Sequence, residues 1–160
     1  MAANPGTVRA ESVRFLEADG NAAAGLAGTW NASIVLPAGV CIVDVIVQGT
    51  AVWTATTSAT LIVGDTADDD GWYIGVDLKA TDLTAGQTLC FAMAGGKQGA
   101  YFADAAAPGS QNTFQYSAAA RTVSAKVTTV GAPVTTRPGD TTVTFLYTYA
   151  APVKPTFVSA

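Results

Sequence analysis

The amino-acid sequence predicts an all-β fold, an antiparallel β-sandwich with jelly-roll-like pairing, and three observations carry that expectation. Apolar and polar residues alternate at period two along several stretches, the signature of strands with one face buried. Turn chemistry separates those stretches at short intervals: Pro37-Ala38-Gly39, Gly64-Asp65, Asp70-Gly71, Ala85-Gly86, Gly95-Gly96 and Pro138-Gly139-Asp140. No segment carries the 3.6-residue apolar stripe of an amphipathic helix. Eight or nine short strands punctuated in this way suit a sandwich or jelly roll.

The clearest strand is 141–149, where Val143, Phe145, Tyr147 and Tyr149 share one face and Thr142, Thr144 and Thr148 the other. Residues 121–130 repeat the pattern, with Val123, Ala125 and Val127 opposing Thr122, Ser124, Lys126 and Thr128. In 40–48 the expected apolar face is Cys41, Val43, Val45 and Val47. Its other side mixes Ile42 and Ile46 with Asp44 and Gln48, as if a second layer or subunit covered them. Shorter strands are expected at 8–16, 32–36, 51–56, 60–64, 72–76 and 88–93. The Ala-rich pieces 22–24, 103–107 and 118–120 sit beside Gly or Pro, which limits them to one short helical turn. Residues 95–115 read as a long glycine-rich connection holding Tyr101, Phe102 and Phe114, a length that marks functional or interfacial loops.

A chain of 160 residues fits one domain with a real core. The expected organisation is a single sandwich over 1–160, with an N-terminal arm at 1–7 and a C-terminal arm at 150–160. Pro152 and Pro155 favour an extended arm over a packed strand.

Composition narrows the function. Hydrophobic residues make up 49% and charged residues only 12%, about half the roughly 25% of an average soluble protein. A surface poor in Lys and Glu is easily desolvated and suits a protein covered by neighbours. The net charge is −4 and the basic residues are scattered, so nucleic acid is an unsuitable partner. The longest apolar run is interrupted by Asp44 and falls short of a membrane span. Residues 1–6 lack the charged and apolar regions of a secretory signal, and the retained Met1 predicts an unprocessed product of the cytoplasm. Cys41 and Cys90 match no zinc or redox spacing; they are expected as buried thiols, with a bridge as the alternative.

Histidine is absent, which removes the usual general base and every Ser-His or Cys-His nucleophile pair. The only glutamates, Glu11 and Glu17, lie near the N-terminus, so a paired-carboxylate glycosidase is not expected either. No catalytic, cofactor-binding or metal-binding residue is assigned, and no cofactor. The strongest metal candidate is the acidic stretch Asp65, Asp68, Asp69, Asp70, Asp77 and Asp82, half of the 12 acidic residues. Asp68, Asp70, Gly71 and Asp77 fall at calcium-loop spacing, but Thr66 stands at the first ligand position. The expected reading is a solvated hairpin turn in which Asp70-Gly71 makes the tight bend. Trp53 and Trp72-Tyr73 are expected to plug the core or an interface; a sugar-stacking platform is the other use of such rings.

Between 40 and 83 the order of motifs is Asp44-Val45-Ile46-Val47, Thr56-Thr57-Ser58-Ala59, Thr60-Leu61-Ile62-Val63-Gly64-Asp65, Asp68-Asp69-Asp70-Gly71, Asp77-Leu78 and Asp82-Leu83-Thr84. This order resembles small head-surface proteins of tailed bacteriophages. The resemblance implies a non-enzymatic β-sandwich that decorates or cements a capsid or forms a fibre base. It further implies a homo-oligomer, most often a trimer, partnered by the major capsid protein or another virion protein. Such a protein resides in the virion and is made in the host bacterial cytoplasm. The alternatives are a tail or baseplate adhesin binding host glycans through Trp and Tyr, and a carbohydrate-binding module of a larger enzyme.

Overall fold

In a computed structural model, the described residues are 7–19, 28–101, 116–131 and 138–149. The expected arms (Thr7 apart), the Ala-rich pieces 22–24 and 103–107, and Phe102 and Phe114 lie outside them. Nine strands are formed: β1 Arg9–Leu16, β2 Thr29–Leu36, β3 Val40–Ala51, β4 Ser58–Asp65, β5 Tyr73–Asp77, β6 Thr88–Leu89, β7 Tyr116–Ser117, β8 Arg121–Val130 and β9 Asp140–Tyr149. Single 3₁₀ turns sit at Glu17–Asp19 and Phe91–Met93, and no α-helix occurs among the described residues. Residues 118–120 form a bend, not a helical turn.

The strands make two antiparallel sheets. The first runs β1-β9-β3, with β6 and β7 sharing the far edge of β3; the second runs β2-β8-β4-β5. Chain neighbours mostly fall in opposite sheets, so the chain crosses repeatedly from one layer of the sandwich to the other. Inner faces follow the expected alternation in β8, where Val123, Ala125 and Val127 are buried, and in β9, where Val143, Phe145 and Tyr147 are. Leu61, Val63, Val76 and Leu36 close the core from the second sheet. Each such side chain contributes roughly 1.5–3 kcal/mol on burial.

Strand β3 departs from its expected faces. Its pairing with β9 slips between Ile42 and Asp44: Ile42 lies opposite Tyr147 and Asp44 opposite Leu146, which leaves Val43 as an extra residue. This β-bulge reverses the side-chain parity. Val40 and Ile42 are buried before it and Val45 and Val47 after it, while Val43 is 46% exposed. Cys41 is only half-buried, and Ile42 belongs to the core instead of to an outer layer. Only Ile46 keeps the outward, half-covered place expected for it.

Two other elements differ from expectation. Residues 51–56 form no separate strand, because β3 ends at Ala51 and the chain must then cross to the other sheet. That crossing carries Trp53 into the core, where its ring meets Trp30 edge-on at 5.0 Å and its Nε1 donates to Thr141 Oγ1 at 2.9 Å. A Cβ on Gly139 would stand 2.5 Å from this indole, so the close approach requires glycine there. Residues 88–93 pair only at Thr88–Leu89 before the 3₁₀ turn diverts them.

One buried carboxylate joins these pieces. Glu17 lies just past β1 and is buried without a cationic partner among the described residues. Its oxygens accept the amides of Thr54, Ala55 and Gly139, the last at 2.8 Å, and the Thr54 hydroxyl at 2.9 Å. Its own amide donates to the Gly139 carbonyl at 2.9 Å. The end of β1, the sheet crossing and the entry to β9 therefore share one anchor.

Glu17→Gln puts an amide NH₂ among these donors and should cost at least about 2 kcal/mol, read as a lower urea midpoint with unchanged slope. Deleting Val43 should restore regular pairing and cost roughly 1 kcal/mol, the scale of an ordinary point substitution. Deleting Ile46 instead turns the rest of β3 over and should abolish folding, because register here decides every face. Thermal melts of the two deletions distinguish the cases.

Candidate functional site

The acidic stretch holds the densest polar chemistry of the described residues, and the structure divides it in two. Asp65 closes β4 on the inward face, at the same parity as Leu61 and Val63. Arg121 opens β8, opposite Leu36 and also inward. The two meet at 2.5 Å, both almost wholly buried, with side chains 5% and 11% exposed. Tyr101 donates its hydroxyl to Asp65 Oδ1 at 2.9 Å, and the amides of Ala67 and Asp68 donate to the same oxygen. The guanidinium lies over the rings of Trp72 at 4.8 Å and Tyr101 at 5.2 Å. Asp65 is thus not a solvated turn residue.

Burial alone would raise the Asp65 pKa. The Ala67 amide, the Tyr101 hydroxyl, Arg121 and the Asp68 amide outweigh it and hold the group below its usual 3.8. Burial and the Asp65 carboxylate push Tyr101 up to about 12. Neither group would exchange a proton near neutrality, so the cluster is a lock and not an acid–base pair. The bend itself also differs from expectation. Gly71 has no positive φ. It is glycine because a Cβ would stand 2.3 Å from the Tyr101 ring.

The second part is Asp68, Asp69 and Asp70, whose carboxylates offer oxygens within 4.8 Å of one another. A hydrogen bond shared with Asp68, burial and both neighbouring charges raise the Asp70 pKa. Asp69 reaches Lys126 at 3.1 Å. Asp77, at the closing position of the calcium-loop spacing, accepts the Lys79 amide at 2.6 Å, and Asp82 accepts the Asp77 amide and faces Lys97. The calcium-loop set is not brought together.

Trp53 and Trp72 are 1% and 0% exposed, which leaves no sugar-stacking platform at either, and Tyr73 is buried with them. Exposed aromatic surface remains at Phe91 and Tyr116. Cys41 and Cys90 are free and half-buried, the thiol alternative. The outer face of the second sheet carries small polar residues and one lysine: Thr29, Asn31 and Ser33 of β2 opposite Thr128, Lys126 and Ser124 of β8. The start of β1 and the end of β9 lie side by side, since Arg9 pairs Tyr147 and Tyr149 pairs Val40. The inward charges of Asp65, Arg121 and Glu17 went unassigned in the sequence. For Asp65 and Arg121 the signal was their parity with neighbouring core residues.

No protein-family model matches the chain, and none of the curated proteins does. Among solved structures, a chain of the cyanophage Pam1 capsid asymmetric unit is similar at 17% identity and a TM-score of 0.53. The match covers 94% of this chain and 93% of that one. A chain of the capsid of Ralstonia phage GP4 is similar at 17% identity and a TM-score of 0.50, over 94% and 90%. The likeness is one of fold. It extends over nearly the whole of each chain.

Asp65 has its pKa lowered, so its stabilising contribution is complete above its unfolded value of 3.8 and is lost as pH falls through the lower folded value. Melting temperature should therefore drop on acidification below that range. Asp65→Asn leaves Arg121 buried without its counter-charge and should cost roughly 3–5 kcal/mol at neutral pH. The variant should also lose part of the acid dependence when the two melting-versus-pH curves are compared.

Proposed function

We propose that this chain is a non-enzymatic structural protein of a tailed-phage virion, decorating or cementing the capsid surface. The observation that carries the reading is the end-to-end likeness to chains in two phage capsid structures. Three properties support it. The sequence is poor in charge, the outer face of the second sheet is rich in Ser and Thr, and Asp65 and Arg121 are closed on each other as a buried pair. A protein of this kind works by many copies on one shell, so each contact can be weak while the sum is strong. The partners in this reading are the major capsid protein or another virion protein and further copies of the chain. The adhesin alternative is disfavoured by the burial of Trp53 and Trp72. The acidic turn is read as structural, with no metal assigned to it.

Imaging the intact particle should reveal this sandwich on the outer shell. Purified protein should co-sediment with undecorated shells. Removing 150–160, which follow the last residue of β9, should weaken that attachment and leave the melting temperature unchanged. Density at the tail tip with none on the head would overturn the reading.

A further inference from the structure

The edges of the two sheets are protected unequally. Strand β5 is covered by the segment that follows the Phe91–Met93 turn: Ile74 donates to the Lys97 carbonyl at 3.0 Å, Gly99 to the Trp72 carbonyl at 2.8 Å, and Tyr73 bridges Gln98. On the far edge of β3, side chains cap the gap between β6 and β7. The Tyr73 hydroxyl donates to the Val45 carbonyl at 2.7 Å, and Asp44 accepts the amides of Val45 and Phe91. Strand β1 carries charge, with Arg9 and Glu11 at the inward parity of Tyr147 and Phe145 and with Arg14 paired to Asp140. Charged and inward-pointing residues are a common guard against edge pairing.

Strand β2 has none of these devices. Its eight residues, Thr-Trp-Asn-Ala-Ser-Ile-Val-Leu, hold no charge and no proline, and its pairing to β8 runs without a bulge. Among the described residues nothing pairs with its other edge. Val35 is 67% exposed. The hydrogen-bond parity is also fixed. The Thr129 amide donates to the Gly28 carbonyl one step beyond the Thr29–Thr128 pair. In an antiparallel ladder the bonded pairs alternate, so even-numbered residues of β2 point their backbone groups at β8. Thr29, Asn31, Ser33 and Val35 therefore present theirs at the open edge.

We infer that β2 is a pairing edge and that its occupant is β2 of a second copy of this chain, added antiparallel about a two-fold axis. Only an extended strand satisfies alternating backbone donors and acceptors along such an edge. The strand is self-complementary. With the axis at Ala32, Thr29 lies opposite Val35 and Asn31 opposite Ser33, and every edge-facing residue meets another. On the inward side the same register places Trp30 opposite Ile34, which continues the apolar face across the junction. No like charges meet, because β2 has none. The second sheet then runs unbroken through two copies.

Sedimentation of the purified protein at micromolar concentration should give a two-fold dimer or a multiple of it. Val35→Lys should weaken association at least tenfold with the melt unchanged. Ser33→Pro removes one edge-facing amide without touching the ladder to β8 and should act in the same way. At the axis the two Ala32 residues form a non-hydrogen-bonded pair, whose roughly 4.5 Å Cα separation permits a disulfide. Ala32→Cys, on a background of Cys41→Ser and Cys90→Ser, should form a cross-linked dimer under mild oxidation. A monomer at micromolar concentration would overturn the inference. So would an oligomer indifferent to both β2 substitutions, or one giving no cross-link at Ala32→Cys. The outcome does not depend on where the protein sits on a particle, so this inference and the virion reading fail separately.

Discussion

The wrap of the chain depends on Glu17 being a buried anion held by donors alone. Consecutive strands of this sandwich mostly fall in opposite sheets, so each crossing leaves backbone amides without a ladder partner. Here the crossing after β3 and the entry to β9 come together beside the end of β1, and one carboxylate takes up amides from both. A neutral side chain of the same size has too few acceptors for that set. The crossing can then carry Trp53 into the core, and Gly139 can lie flat against its ring. Without the anchor, three segments would have to find separate partners.

The opposite end of the sandwich uses a different solution to the same problem. Asp65 and Arg121 occupy inward positions where the sheets open toward loops, and each continues the parity of a buried strand. A charge there would be costly alone. Paired, hydrogen-bonded and covered by Trp72 and Tyr101, it ties β4, β8, the entry to β5 and the segment after the Phe91–Met93 turn into one unit. Among the described residues the Trp72 indole nitrogen has no acceptor, and the Arg121 guanidinium lies over its ring at 4.8 Å.

The parts of the fold legible in the sequence were those where local pattern and tertiary role coincide. Strands β8 and β9 lie inside their sheets, are regular, and show their faces residue by residue. Strand β3 did not, because a bulge is set by its partner: nothing local in Ile42-Val43-Asp44 says which residue β9 will skip. The stretch 51–56 misled for a related reason, since Thr and Trp favour strands yet this segment must leave one sheet for the other. The site was less legible still. Acidic residues crowded in one stretch look alike by type, whereas Asp65 stands apart through its inward parity in β4 and its partners Tyr101 and Arg121, 36 and 56 residues away.

These locks bear on how such a chain would assemble. A sandwich pinned at both ends has little conformational freedom left to lose on association, so contact surface is not spent on ordering the scaffold. What then decides the mode of association is the edge chemistry, where three edges are guarded and one is bare. A charge-poor outer face adds to this by lowering the desolvation cost of lateral contact. Edge pairing through β2 leaves free the far end of the first sheet, where β1 starts and β9 ends beside each other. The start of β1 and the end of β9 therefore lie at a site that β2 pairing does not consume. The proposed sheet extension between copies and the proposed attachment to a virion surface are compatible on one small domain.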